Sequence, residues 1–162
     1  MKNEIIFSMG MPAAGKSTII NAKYGASHKI IDCDKFKVLH PDYDPKKPEL
    51  VHAWSSNECA KAFEAAIDSG LGCYVIDGTG SNAEKLVYQI RRARRAGFVT
   101  RLVYVQCSLE TSLQRNARRE RTVPESVILD KAQLIQTSFD IVSQYVDLIE
   151  IIDNDAEKTL DK

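Results

Sequence analysis

Short apolar runs alternate with longer stretches in which apolar residues recur every three or four positions. The apolar runs predict β-strands at residues 4–9, 29–31, 72–76, 100–106 and 148–152. The longer stretches predict helices at residues 16–23, 51–69, 82–96, 109–119 and 124–145. The helical period is clear where Ala60, Phe63 and Ile67 fall on one face. This order predicts an alternating β/α chain.

Strands that alternate with helices predict a parallel sheet that is covered on both faces. We therefore expect residues 1–162 to form one α/β domain, a three-layer α/β/α sandwich around a mostly parallel five-stranded sheet. A proline-rich stretch at 41–48 reads as a surface loop, and the polar tail after residue 153 as a frayed end. Ligands bind at the carboxyl ends of such strands. That rule brings together the residues after Met9, Ile31, Ile76 and Gln106.

The segment from Gly10 to Ser17 has the G-x-x-x-x-G-K-[ST] pattern that binds nucleotide phosphates. It lies between a predicted strand and a predicted helix, as the pattern requires. Glycines let backbone N–H groups converge on phosphates, Lys16 would reach the β- and γ-phosphates, and Ser17 would bind Mg²⁺. The sequence therefore predicts binding of ATP with Mg²⁺. The candidate nucleotide ligands here are Gly10, Ala13, Ala14, Gly15, Lys16, Ser17 and Thr18.

Acidic residues follow two of the other predicted strands. Asp32 and Asp34 flank Cys33 after the second strand, and a carboxylate there could accept a proton from a substrate hydroxyl. Strand alternation would place both on one side, whereas Asp34 could instead be the N-cap of a short helix. Asp77 ends the third strand, where a carboxylate holds Mg²⁺ directly or through water. Thr79, between two glycines, would approach a ligand, although a simple strand-ending turn would look the same.

Arginines cluster in two places. Arg115, Arg118 and Arg119 recur at helical spacing and Arg121 follows in a loop, which predicts an arginine lid near residues 115–124. A solvated basic helix face is the alternative. For the second cluster, at residues 91–95, the solvated face is favoured over a nucleic-acid contact.

Composition narrows the function classes. The 22 basic residues balance 22 acidic ones, so no overall field would recruit nucleic acid or an anionic membrane. The four cysteines form no C-x-x-C pair, so we expect free thiols in a reducing, cytoplasmic environment. No apolar run is long enough to span a bilayer. The composition does not indicate an oligomeric state.

Together these features resemble the small P-loop kinases of the zeta-toxin and polynucleotide-kinase type. The likeness covers roughly residues 4–136 and includes the aspartate-rich segments 31–37 and 40–43 and the strand segment 75–80. Zeta toxins usually carry Glu where Asp77 stands. The resemblance implies an ATP-dependent kinase in which Lys16 and Ser17 bind phosphate and Mg²⁺.

In the same resemblance Asp34 is the general base, and Arg118 and Arg121 are lid arginines that act in catalysis with Lys16. Arg115 would contact the nucleotide. The implied substrate contacts are Asp32, Asp34, Asp77, Thr79, Lys37 and His40. The acid that binds substrate in zeta toxins has no match, because Lys61 falls near its position. The resemblance therefore does not by itself identify a nucleotide sugar as the substrate.

These expectations combine into an ATP-dependent kinase that phosphorylates a hydroxyl of a nucleotide-like small molecule. The first alternative is a nucleic-acid kinase that acts on a 5′-hydroxyl end or on a hydroxymethylated base in DNA. The second alternative is a nucleotide-binding module without transferase activity. A GTPase is disfavoured because the chain has no N-K-x-D segment for guanine.

Overall fold

The computed structural model describes residues 3–11, 14–118 and 124–154. Its strands are β1 (Glu4–Met9), β2 (Lys29–Asp32), β3 (Cys73–Asp77), β4 (Val99–Gln106) and β5 (Leu148–Asp153). Its helices are α1 (Lys16–Tyr24), α2 (Cys33–Val38), α3 (His52–Ser69), α4 (Ala83–Arg95), α5 (Leu109–Arg118) and α6 (Glu125–Val142). A 3-10 turn at Pro48–Val51 leads into α3. The predicted strands and long helices are confirmed to within a few residues at each end.

The strands form one sheet in the order β2-β3-β1-β4-β5, with every neighbouring pair parallel. Alternate residues of the central strand β1 point to opposite faces. Phe7 packs with α3, α4 and α6, and Ile6 packs with α1. The sheet therefore has a core on each face, which confirms the three-layer α/β/α prediction.

A disulfide between Cys33 and Cys59 joins α2 to α3. The prediction of free thiols was wrong for this pair, because the fold packs together two helices whose cysteines lie 26 positions apart in the sequence. Cys73 and Cys107 form no disulfide within the described residues, as expected.

The basic cluster at 91–95 takes part in packing contacts at the end of α4. Arg92 pairs with Glu64 of α3, and Arg94 pairs with Asp147 while donating to the Tyr145 carbonyl. These contacts fit the favoured interpretation of a helix face rather than a nucleic-acid surface. Among the described helices, none has the length and apolar character needed to cross a membrane. The tail predicted to fray lies outside the described residues from residue 155 onwards.

Candidate active site

The phosphate loop begins at the carboxyl end of β1 and is fixed there by its first glycine. The Gly10 N–H donates to the Thr79 carbonyl at 3.0 Å. A Cβ on Gly10 would lie 2.7 Å from the Val105 carbonyl oxygen, so only glycine fits between the neighbouring strands. Pro12 and Ala13 lie outside the described residues, and so does the prediction that Ala13 contacts nucleotide.

The second half of the loop is held from outside by two side chains. The Ala14 carbonyl accepts from Arg115 Nη1 at 3.0 Å and from Asn154 Nδ2 at 2.9 Å. In a trans peptide the C=O and the following N–H point in opposite directions. The Gly15 N–H is therefore turned away from these donors, towards the side where phosphate would bind. Gly15 itself has φ +80°, and a Cβ there would collide with the Asn154 amide.

Arg115 is held in place by a second hydrogen bond, because its Nη2 also donates to the Asn154 carbonyl at 2.8 Å. Arg115, which the sequence predicted to contact the nucleotide, thus supports the loop that would hold that nucleotide. Asn154 was missed in the sequence, where it is one polar residue in a polar tail and carries no signal.

Asp77 is the centre of the polar network beside the loop. This buried carboxylate accepts from Ser17 Oγ at 3.0 Å and from Ser8 Oγ at 2.7 Å. Lys16 Nζ lies 3.4 Å from its Oδ1 atom. Ser17 and Asp77 thus present two adjacent oxygens, the ligands that Mg²⁺ takes alongside water and phosphate. The residues fit the predicted metal, and Ser8 is a further member that appeared in the sequence only as a polar position in an apolar strand.

Thr18 lies one residue further along the first turn of α1, with its side chain exposed. The start of this nine-residue helix points its free N–H groups and positive dipole end at the loop.

Asp32 ends β2 directly opposite Asp77 in the sheet register. Its Oδ1 accepts the Asp34 N–H at 2.9 Å, so Asp32 is the N-cap of α2. Burial and then the charge of Asp77 raise the pKa of Asp32. The cap is therefore Asp32 and not Asp34, which the alternative interpretation had offered. The expectation that strand alternation places both carboxylates on one side was wrong, because the chain turns helical at Cys33.

Asp34 projects from the first turn of α2 with its side chain half exposed, at 51%. Lys37, one turn later, is buried and places Nζ 3.4 Å from the Asp34 carboxylate. His52 begins α3 nearby. Burial, followed by repulsion from the ammonium groups of Lys37, Lys131 and Lys85, lowers the pKa of His52, while Asp34 opposes that shift.

The loop after β3 contributes hydroxyl groups. Thr79 Oγ1 lies 3.1 Å from Ser81 Oγ, and Ser81 in turn accepts from Lys131 Nζ of α6 at 2.9 Å. Neither Ser81 nor Lys131 was singled out in the sequence. The predicted substrate residue His40 packs its ring against Trp54 at 5.0 Å between centroids, which ties the end of α2 to α3.

The predicted arginine lid is described only in part. Arg118 is exposed at the end of α5, and Arg119 and Arg121 lie outside the described residues.

A cavity of about 340 Å³ opens beside the phosphate loop at the carboxyl ends of β4 and β5, with Met11, Gln106, Ser108 and Asp153 in its lining. This cavity and the carboxylates at the ends of β2 and β3 lie on opposite sides of the phosphate loop, at the same carboxyl end of the sheet.

Comparison with known proteins agrees with this geometry. The family model for zeta toxin matches residues 2–161. The search of curated protein sequences gave no match.

Solved structures with the same fold share little sequence with the chain. One comes from the PezAT chromosomal toxin–antitoxin system of Streptococcus pneumoniae, with a TM-score of 0.68, 19% identity, and coverage of 94% of this chain and 68% of that one. Another is the AvrRxo1-ORF1:-ORF2 structure with ATP, with a TM-score of 0.68 and 21% identity. That match spans 88% of this chain but only 50% of the other. A Chloroflexus aurantiacus protein described as a kinase has a TM-score of 0.67 and 15% identity, and the match covers 98% of this chain and 91% of that one.

Proposed function

The chain belongs to the zeta-toxin family, and from that premise we propose that it is an ATP-dependent kinase whose acceptor is a hydroxyl of a nucleotide-like molecule. In this proposal residues 1–162 act as one kinase domain. The observation that carries it is the meeting of Lys16, Ser17 and Asp77 beside the phosphate loop, with Asp34 in the first turn of the helix that follows the neighbouring strand β2. A structure with ATP among the similar folds supports ATP as the donor.

The donor side binds and orients the triphosphate. Backbone N–H groups of the loop and the start of α1 hold the β-phosphate, and Lys16 neutralises charge on the transferred group. Ser17 and Asp77 would hold Mg²⁺, which when bound offsets the negative charge that develops on the phosphate oxygens. The anchored peptide between Ala14 and Gly15 keeps this cradle in shape before the nucleotide arrives.

On the acceptor side Asp34 orients the attacking hydroxyl. The hydroxyl oxygen forms a bond to the γ-phosphorus, the bond from that phosphorus to the bridging oxygen of ADP breaks, and the hydroxyl proton passes to the Asp34 carboxylate. Lys37 holds that carboxylate in place by its ion pair. Arg118 and Arg121 belong to this proposal as lid residues that neutralise the transferred group.

The test is transfer of labelled γ-phosphate from ATP to a panel of acceptors: nucleosides, nucleotide sugars, 5′-hydroxyl oligonucleotides and DNA with hydroxymethylated bases. Wild type is run beside Asp34→Asn and the control Asp68→Asn, an exposed carboxylate on α3. Label on a small molecule that depends on Asp34 supports the proposal. Label confined to an oligonucleotide supports the nucleic-acid kinase instead. ATP binding with no label on any acceptor contradicts the kinase and leaves the binding module.

A further inference from the structure

The strand β5 forms one edge of the sheet and exposes apolar side chains there. In the described part of the chain it pairs with β4 alone. Leu148, Ile149 and Ile151 are 38%, 46% and 53% exposed. The one charged residue between the strand ends is Glu150, and its carboxylate is bound by Lys23 and Tyr24 of α1. Edge strands are usually short, or protected by free charges or proline, so this edge has the features of a contact surface.

The opposite edge of the sheet is protected in the ordinary way. Strand β2 has only four residues and begins with the exposed Lys29. Its Ile31 is buried, Ile30 is partly buried, and Asp32 leaves the strand to cap α2. The exposed apolar edge is therefore a property of β5 and not of both sides of the sheet.

The backbone of β5 also offers hydrogen-bonding groups on its outer side. In a parallel sheet a residue directs its N–H and C=O to one side of the strand, and its neighbours in the chain direct theirs to the other side. The Asn154 N–H donates to the Gln106 carbonyl of β4 at 2.7 Å. Counting back in steps of two, Glu150 also faces β4, whereas Ile149 and Ile151 turn their N–H and C=O groups to the open edge.

The sequence of β5 is complementary to itself when two copies run in opposite directions. Residues 148–152 read apolar, apolar, acidic, apolar, apolar from either end. An antiparallel pair centred on Glu150 places Ile149 opposite Ile151 of the second copy, and Leu148 opposite Ile152. The two residues with outward backbone groups then form the hydrogen-bonded pairs of the new ladder.

The charges match in the same register. The two Glu150 carboxylates meet at the centre of the pair, where like charges alone would be unfavourable. Each of them brings its own Lys23, whose side chain is 46% exposed and free to reach either carboxylate. The centre therefore holds two acidic and two basic groups, and the charge is balanced.

We propose that β5 is a self-association surface on which a second copy of this chain pairs its own β5 in antiparallel orientation about a twofold axis. The two five-stranded sheets then join into one continuous sheet. A second copy is the occupant because the apolar pattern, the backbone groups and the charges of this edge all match their own twofold image. The inference does not depend on the proposed kinase reaction.

The first test measures association of the full chain by sedimentation velocity over a dilution series. Wild type should change from monomer to dimer as its concentration rises. Ile151→Lys places an ammonium group among the paired isoleucines and should raise the dimer dissociation constant about tenfold or more. The matched control is Leu71→Lys, which changes an apolar residue 67% exposed just before β3 and should associate as wild type does. Melting temperatures check that both variants fold.

The second test traps the register by cross-linking. The two Glu150 positions face each other as a non-hydrogen-bonded pair, with Cα atoms about 4.5 Å apart, a separation that a disulfide can bridge. Glu150→Cys should therefore form a disulfide-linked dimer under oxidising conditions. Leu148→Cys is the control, because it faces Ile152 of the second copy and meets no cysteine. Wild type shows what the native thiols of Cys73 and Cys107 contribute.

Each outcome decides part of the claim. A wild type that stays monomeric at every dilution overturns the second copy as the occupant of this edge. Association that Ile151→Lys and Leu71→Lys leave equally strong overturns β5 as the contact surface. Cross-linking of Leu148→Cys in place of Glu150→Cys overturns the register. A dimer that Ile151→Lys weakens and Glu150→Cys traps supports the proposal, and none of these readouts depends on kinase activity.

Discussion

The donor and acceptor sides of the site are built in different ways. The donor side stands on β1, the centre of the sheet, and its loop is tied by hydrogen bonds to the segments after β3 and β5. The acceptor side stands on β2, a four-residue edge strand, and on the short helix α2. There a disulfide and the contact of His40 with Trp54 replace the sheet as supports. Under the proposed function, the donor would be bound mainly through backbone geometry, whereas the acceptor would be recognised by side chains from separate segments.

The largest effect is expected where the donor side loses its cation. Lys16→Ala removes the ammonium group from the phosphates and from Asp77, so phosphotransfer should fall about 10²- to 10³-fold, with weaker ATP binding. Calorimetry with ATP and single-turnover assays measure the two effects. Lys23→Ala is the control, because Lys23 lies on the same helix and pairs with Glu150 instead. Normal affinity and rate in Lys16→Ala would refute the assignment of the phosphate loop.

Breaking the disulfide should affect the acceptor side and spare the donor side. Cys59→Ala releases a link across 26 positions, so the free energy of unfolding should fall by about 3 kcal/mol. ATP affinity should stay unchanged while acceptor turnover drops. A reducing agent should reproduce the loss of stability in wild type and leave the variant unaltered, as denaturant titration would show. Equal loss of ATP binding would mean that the two sides are not separable.

A smaller effect is expected from Asn154, the residue after β5 that anchors the phosphate loop. Asn154→Ala removes one of the two side-chain donors to the Ala14 carbonyl and leaves Arg115 in place. Loss of one such hydrogen bond, about 1 kcal/mol, should weaken ATP binding roughly fivefold with little change in melting temperature. Asn57→Ala, at an exposed position of α3, should change neither quantity. An unaltered affinity in Asn154→Ala would show that Arg115 alone orients this peptide.

The smallest effect concerns pH. Burial and the nearby ammonium groups hold the pKa of His52 below its usual 6.5, so the unfolded chain binds this proton more readily than the folded one. The contribution of His52 to stability is present above pH 6.5 and is lost as the pH falls through the lower folded pKa. His52→Gln should therefore flatten the fall in melting temperature between neutral and mildly acid pH. Parallel curves for wild type and variant would contradict the basic environment of the acceptor side.

The same contrast explains what the sequence could predict. The phosphate loop, its flanking strand and helix, and Asp77 at the end of β3 follow from local patterns, and they hold in the structure. The capping of α2 by Asp32 did not follow, because a helix starts at Cys33 where strand alternation was expected. Asn154 and Lys131 reach the site only through the sheet order and the packing of α6, and no local spacing records either contact.

The central claim is that Asp34 acts on the acceptor and not on ATP. The direct test measures, for wild type and Asp34→Asn side by side, the dissociation constant for ATP and the rate of γ-phosphate transfer. We predict ATP affinities within about twofold of each other and a transfer rate lowered by roughly a hundredfold or more, the scale of lost general-base catalysis. Undiminished transfer would contradict the account and point to Asp32 or Asp77 as the base. A parallel loss of affinity and rate would contradict the separation of the two sides.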